Sequence, residues 1–362
     1  KYIPLGVADT DFRAPEEVCA AVRKRVDFGV FAYGNLPQKR FTDAVCAWYK
    51  KRYGLTLDPQ AVRHSQGLMT GALWMILNAY TRPGDKILVQ PPVYNTFGIV
   101  IRGAGRFVEN NDLILKDGRY EIDFDDLEKK TADPRVRILL VCNPANPVGR
   151  VWTREELTRM YEICKKNHTL IVSDEIHGDI VYAPHRHIPY FSLSEEIADN
   201  VIVMGSPSKT FNLACFYSAY VVIHNEELRE QYGIVYEDYH FDYNYLGIEA
   251  LITAYNDCEY YADQQNEYLH KNIELVKSFL AQAMPEVKVI EPEATYLLWI
   301  DFRAWGLSSP ELVRLFESAG VKLNSGANYG APGDGFLRLN VATQTTVLEE
   351  ALRRMKKAAE NR

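Results

Sequence analysis

Cysteine, excess basic charge and long apolar runs are what this 362-residue chain has least of. Its six cysteines (Cys19, Cys46, Cys142, Cys164, Cys215 and Cys258) are scattered, with no C-x-x-C pair. That spacing argues against a disulfide framework and against a zinc site, and it suits a reducing compartment. Lys and Arg number 41 against 48 Asp and Glu, which leaves a net charge of −7. Nucleic acids and anionic membranes need a basic face to meet their phosphates, so neither is expected as a partner. The basic "RMKKAAENR" at the C-terminus reads as the solvated end of a helix. No stretch reaches the ~18 apolar residues of a membrane span and the start is not signal-like, so a cytoplasmic location is expected. The abrupt opening "KYIPLGVADTDF" leads us to expect that a leading segment has been lost. No strand-like run leads into G-x-G-x-x-G, which argues against a nicotinamide dehydrogenase. Internal repeats and low-complexity segments are also missing.

What the chain does have is a series of short Ile/Leu/Val runs, each ending in polar or turn residues: "DKILVQPPVY", "VRILLVCNPANPVG", "TLIVSDEIHGD" and "NVIVMGSPSKTF". Runs of this kind are what fully buried parallel strands look like. Helix-like segments lie between them, such as "TREELTRMYEICKKN", where Thr153 and Glu156 form a plausible capping box. The alternation predicts an α/β fold: a large domain with a mostly parallel sheet between helices, followed by a smaller α+β C-terminal domain. Beyond about residue 250 the pattern changes to a long helix, the strand-like "VKVIEPEATYLLWIDF" and "GFLRLNVAT", and a final helix. We expect segments 1–32 and 249–362 to form the smaller unit and 33–248 the larger one.

In open parallel sheets a ligand sits beyond the carboxyl ends of the strands, and these four runs carry their unusual residues there. Asp174 ends a buried run, where a carboxylate is either a cap or ion pair, or the partner of a protonated ring nitrogen such as pyridoxal phosphate requires. Lys209, ordinarily read as solvated surface, would at such a strand end be an amine able to form a Schiff base with that cofactor's aldehyde. Ser206 and Ser208 offer hydroxyls to a phosphate. Asn146 in "NPANPVG" is either part of a rigid turn or a donor to the phenolic oxygen of the ring. In "SQGLMTGALWMILNAY" a glycine opens a helix, so the backbone N–H groups near Gly67, Leu68 and Met69 can hold a phosphate. Tyr94 is core or a ring-stacking aromatic. Arg338, inside the apolar "GFLRLNVA", calls for an anion, either an internal carboxylate or that of a substrate.

Taken together, "NPxNPxG", Asp174, "SxSKTF" and "RLN" resemble the fold-type I pyridoxal-phosphate enzymes of the class I/II aminotransferase superfamily, over essentially the whole chain. The resemblance implies that Lys209 is the Schiff-base lysine, Asp174 the pyridinium partner, Asn146 the ring-oxygen donor, Tyr94 the stacking aromatic and Arg338 the carboxylate clamp. It also implies that Tyr33 in "FAYGNLP" reaches the phosphate in the neighbouring subunit of a homodimer with shared sites. "VADTDFRAPEEV", "QPPVYNTF", "SDEIHGDI" and "SPSKTFNLA" resemble in particular the cystathionine β-lyase subgroup, which includes the bacterial maltose-regulon modulator and the PatB-type C–S lyases. His177, where most of the superfamily has tyrosine, is then expected near the ring oxygen, assisting Asn146. Gly6, a substrate-binding position by this likeness, stands where the subgroup usually has tryptophan. Ala145 replaces a common histidine, and "ACFYSAY" puts Cys215 and Tyr217 near the cofactor or the dimer interface. The aromatic stretch at 239–245 is expected to approach the site. The function implied is a C–S β-lyase that cleaves cystathionine or another S-substituted L-cysteine to pyruvate, ammonia and a thiol. An amino acid aminotransferase and a regulatory protein that keeps the fold are the alternatives.

Overall fold

A computed structural model describes residues 2–239 and 243–362, so the middle of the 239–245 stretch lies outside the described residues. A seven-stranded sheet organises the larger part of the chain. Its strands are β1 (Val62–Gln66), β2 (Lys86–Val89), β3 (Phe107–Asn110), β4 (Val136–Cys142), β5 (Leu170–Asp174), β6 (Val201–Gly205) and β7 (Ser218–Ile223), in the order β1-β7-β6-β5-β4-β2-β3. The five strands β3, β2, β4, β5 and β6 run parallel. β7 is antiparallel both to β6 and to β1. Apolar residues on both faces of β4, β5 and β6 are buried, as strands covered by helices on two sides require. Register sets the site: Cys142 lies beside Asp174, and Asp174 beside Met204, so three carboxyl ends finish at one level.

Helices cover the sheet, and those that bear on the site are α1 (Glu16–Asp27), α2 (Gln38–Tyr53), α3 (Trp74–Tyr80), α4 (Arg154–Lys166), α5 (Tyr245–Asp257), α6 (Glu259–Ala283) and α7 (Thr345–Glu360). α4 starts with the capping box anticipated above: Thr153 Oγ1 accepts from the Glu156 N–H at 3.2 Å and Glu156 Oε2 from the Thr153 N–H at 2.8 Å. A wide-turn helical segment, Leu68–Leu73, precedes α3 and is pressed onto the end of β1. Gly71 permits this approach, since a Cβ there would lie 2.5 Å from the Gln66 carbonyl oxygen.

A second apolar core lies around a four-stranded antiparallel sheet whose central strands are Leu297–Asp301 and Phe336–Asn340, covered by α6 and α7. The division between the cores differs from the expected segments. Ile3 and Leu5 belong to the second core, but Val18 of α1 belongs to the first, where α1 packs against α5. Ile248 to Ala262 also stay with the first core, and the change comes between Ala262 and Leu269, within α6. The reason is that α1 and α5 bury apolar faces against each other, a pairing distant in sequence and invisible to local composition. Among the described residues no helix is long and apolar enough to cross a membrane.

Buried charge ties the two cores together. Glu293, from the second-core side, accepts from Arg150 Nε at 3.1 Å, from the Val151 N–H at 2.7 Å and from Arg119 Nε at 3.0 Å. Arg150 is buried and also forks onto Glu156. Removing one member of such a cluster leaves an uncompensated buried charge, whereas Arg119 is 45% exposed and contributes little. Glu293→Ala is therefore expected to lower the unfolding free energy by about 3 kcal/mol and Arg119→Ala by less than ~1 kcal/mol, read by urea unfolding. Equal losses in the two variants would contradict the assignment.

Candidate functional site

The loops after β2, β4, β5 and β6, together with the turn after β1, enclose a cavity of about 260 Å³. Gly67, Leu68 and Met69 line one end of it, next to Ser206 and Ser208. Gly67 has φ 80°, and the first bond of the helical segment runs from the Ala72 N–H to the Gly67 carbonyl at 3.0 Å, so the N–H groups of Leu68, Met69 and Thr70 precede it. Ser206 is engaged in shaping its turn: its hydroxyl donates to the Ser218 carbonyl at 2.8 Å and accepts from the Ser208 N–H at 3.1 Å. Ser208 keeps its place on the cavity wall.

Asp174, His177, Asn146, Tyr94 and Lys209 also face this cavity. Asp174 is buried, and desolvation pushes its carboxyl up to about 7 against the pull of the Ile176 N–H, 3.1 Å from Oδ1, and of Lys209. Lys209 is pulled the other way. Burial and the nearby Arg338 charge lower its ammonium to about 8, while Asp9 and Asp174 oppose the shift. Its Nζ donates to the carbonyl of Ala8, from the amino-terminal segment that precedes α1. His177 is buried with Nδ1 unpartnered, and burial followed by the Lys209 and Arg338 charges lowers its pKa to about 3, so the ring is neutral. No bond joins it to Asn146; its ring meets Tyr296 edge-on at 5.9 Å. Tyr94 packs edge-on against Phe97 at 5.6 Å.

Arg338 is buried beside this wall without a carboxylate partner among the described residues. Nη1 donates to Asn146 Oδ1 at 3.0 Å, Nη2 to the Gly6 carbonyl at 2.6 Å, and Nε is unpartnered. The face of Tyr329 lies 5.0 Å from the guanidinium carbon. Because arginine only donates, it must meet the oxygen of the Asn146 amide, which turns the amide nitrogen toward the cavity. Gly6 is closely fitted: its carbonyl also accepts from Asn324 Nδ2 at 2.7 Å, and a Cβ would lie 3.0 Å from Asn324 Oδ1. A tryptophan here would have to displace Asn324.

Two of the singled-out residues stand apart. Tyr33 is 92% exposed and lines a separate surface cleft with Arg25 and Phe31, and Cys215 is exposed outside the cavity. Tyr217 does line the cavity.

Sequence reasoning missed three participants. Asp179, in the same "SDEIHGD" segment as Asp174, accepts from Trp48 Nε1 at 3.2 Å, Tyr53 OH at 2.9 Å and Thr210 Oγ1 at 2.9 Å. It thereby anchors the residue next to Lys209 to α2, and its signal was a third acid in the segment, five residues after Asp174. Cys142 lines the cavity at the end of β4, its sulfur accepting from the Asn146 N–H at 3.4 Å. The Ala8 carbonyl is a backbone group without a sequence signature.

Residues 1–355 match the family described as aminotransferase class I and II. The chain is 40% identical to the cystathionine beta-lyase PatB of Bacillus subtilis over 358 residues, covering 98% of this chain and 92% of that protein. It is structurally similar to cystalysin from Treponema denticola, which contains a pyridoxal 5'-phosphate cofactor (TM-score 0.95, 32% identity, 99% of this chain and 91% of that one). It is likewise similar to the PLP-bound C–S lyase from Staphylococcus hominis (TM-score 0.91, 31% identity, 98% and 90%).

Asp174 and Lys209 give the stability a defined pH dependence. A carboxyl raised to about 7 keeps a proton that the unfolded chain has lost, so its contribution to stability falls as pH rises from about 4 to 7. The lowered lysine acts oppositely: its contribution rises with pH between about 8 and 10.5. In protein dialysed free of small molecules, Asp174→Asn should be more stable than wild type at pH 7.5 by on the order of 3 kcal/mol and indistinguishable from it near pH 4. Parallel stability curves for the two proteins would contradict the assigned shift.

Proposed function

The chain belongs to the aminotransferase class I and II family, and on that premise we propose that it is a pyridoxal-phosphate-dependent C–S β-lyase acting on cystathionine or another S-substituted L-cysteine. The observation that carries the reading is the meeting, on one cavity, of a lysine with a lowered pKa and a buried acid, with an asparagine tied to a buried arginine that meets no carboxylate among the described residues. A strand-end carboxylate, an amine close to neutrality, and N–H and hydroxyl donors around Gly67 and Ser208 suit pyridoxal phosphate in chemistry. When bound, that cofactor supplies an aldehyde for an amine and a ring that accepts the electrons of a broken Cα–H bond.

Each residue has one task in this reading. Asp174 would hold the proton on the ring nitrogen, and the N–H groups of Leu68 and Met69, on the turn opened by Gly67 whose own N–H bonds the Ser65 carbonyl, would hold the phosphate together with Ser208, on a turn shaped by Ser206. Tyr94 would cover a ring face, and the Asn146 amide would donate to the phenolic oxygen, with neutral His177 nearby. Arg338 takes the substrate carboxylate in a two-pronged ion pair, using donors that now meet only neutral oxygens. Gly6 lines the substrate side through its carbonyl. Lys209 would hold the cofactor through its aldehyde, and its amine, lowered to about 8, is placed to take up the α-proton of the substrate. The overall change such a site would support consumes one water per S-substituted cysteine and yields a thiol, pyruvate and ammonia, the thiolate leaving with a proton. The names of the B. subtilis and S. hominis proteins favour elimination over amino-group transfer.

A homodimer belongs to the same reading. Phe28, Phe31 and Tyr33 are 64%, 69% and 92% exposed on one short segment, an apolar surface suited to a second copy. Tyr33 of the partner subunit would then meet the phosphate. A cytoplasmic location is proposed from the scattered free cysteines.

Cofactor-loaded protein should release pyruvate continuously from L-cystathionine or S-substituted cysteines with no keto acid present. A single turnover that needs a keto acid to continue would replace the lyase with an aminotransferase. Arg338→Ala should lower kcat/KM for these substrates by about 2–4 kcal/mol, or ~30- to 1000-fold, with Arg338→Lys recovering part of the loss. An unchanged kcat/KM would move the carboxylate site elsewhere.

A further inference from the structure

Tyr217 is the one cavity-lining residue whose backbone conformation is unfavourable for its side chain. It has φ 49° and ψ 37°, in the left-handed region, at the end of the short Ala214–Phe216 turn that follows the Lys209 segment. A bulky non-glycine residue is rare there and persists only where its surroundings enforce it. They do so from both sides. On one side the Phe216 carbonyl accepts from Asn244 Nδ2 at 2.8 Å, and Gly247 of α5 fits so closely that a Cβ would lie 2.6 Å from that oxygen. On the other, Ser218 begins β7 in register with Gln66 of β1, and its carbonyl receives the Ser206 hydroxyl.

This register sets Tyr217 opposite Gly67. The ring rests on the glycine: a Cβ at Gly67 would lie 3.3 Å from Tyr217 Cδ1 and 3.2 Å from Thr70 Oγ1. Tyr217 is also 58% exposed, so one side of the ring faces the Gly67 turn and the other faces outward. We propose that Tyr217 is a retaining cover over the phosphate end of the cavity, its ring slowing the escape of pyridoxal phosphate by shielding the Leu68 to Thr70 N–H groups from water. Phosphate bonds to backbone donors weaken when water competes for them, so a ring laid over the donors acts on cofactor release more than on the chemical step. The inference rests on the cofactor assignment above.

The test compares wild type with Tyr217→Phe, Tyr217→Ala and Tyr217→Gly, each loaded with pyridoxal phosphate and then diluted. The cofactor dissociation rate is followed by loss of its visible absorption, and the melting temperature of each cofactor-free protein is measured in parallel. Phe should release cofactor within threefold of wild type, and Ala and Gly at least tenfold faster. Cofactor-free Gly should melt at or above the wild-type temperature, because glycine relieves the left-handed strain; faster release without lost stability separates a cover from a merely structural residue. Wild-type release rates in Ala and Gly would overturn the proposal, as would a Phe variant that leaks as fast as Ala, since the hydroxyl and not the ring would then be responsible. Wild-type protein that takes up no pyridoxal phosphate at all would instead refute the cofactor assignment.

Discussion

Desolvation at the ends of three parallel strands governs this molecule. The register of β4, β5 and β6 brings Cys142, Asp174 and Met204 to one level, and residues just beyond that level, among them Asn146, His177 and Lys209, line a small shared cavity. An acid, an amine and a guanidinium are taken out of water there without enough counter-charge among them. The acid rises, the amine falls, and the guanidinium keeps its charge against carbonyl and amide oxygens. Each shift has the same physical cause, and each leaves its group able to respond to an arriving ligand. A cation beside Asp174 would restore its charge, and an anion beside Arg338 would complete an ion pair.

The amino-terminal segment supports both cations. The Gly6 carbonyl meets Arg338 and the Ala8 carbonyl meets Lys209. The segment is itself held on two sides. Asn340, two residues beyond Arg338, donates to the carbonyls of Val7 and Asp9 at 2.7 and 2.6 Å. Asn212, three residues beyond Lys209, donates to those of Thr10 and Phe12 at 2.9 and 3.0 Å. The two cations and the two asparagines thus read one strap of backbone, which fixes the spacing between the amine and the guanidinium through main-chain geometry.

What was legible in the sequence was whatever the local pattern required. Continuous apolar runs could only be buried strands, and a lysine or aspartate closing such a run stood out because it should not be there; β4, β5, β6 and the cap of α4 follow directly. Strand β1, "VRHSQ", escaped notice because three of its five residues are strongly polar, and it is a strand only because β7 lies beside it. Asp179 looked like one more acid until Trp48, Tyr53 and Thr210, from distant parts of the chain, converged on it. The placement of Tyr217 over Gly67 likewise depends on strand pairing across 150 residues, and the carbonyls that meet Lys209 and Arg338 belong to a backbone every residue has. The division between the apolar cores is hidden from the sequence for the same reason, since α1 and α5 find each other only in three dimensions.

α6 runs for 25 residues without a break, with Ala262 in one core and Leu269 to Leu280 in the other. The two halves are therefore joined by a spliced beam and not by a tether. A protease or a cloning boundary placed at the transition would cut a hydrogen-bonded helix and strip both fragments of part of their packing, so neither half is a module that could be traded between proteins by simple recombination.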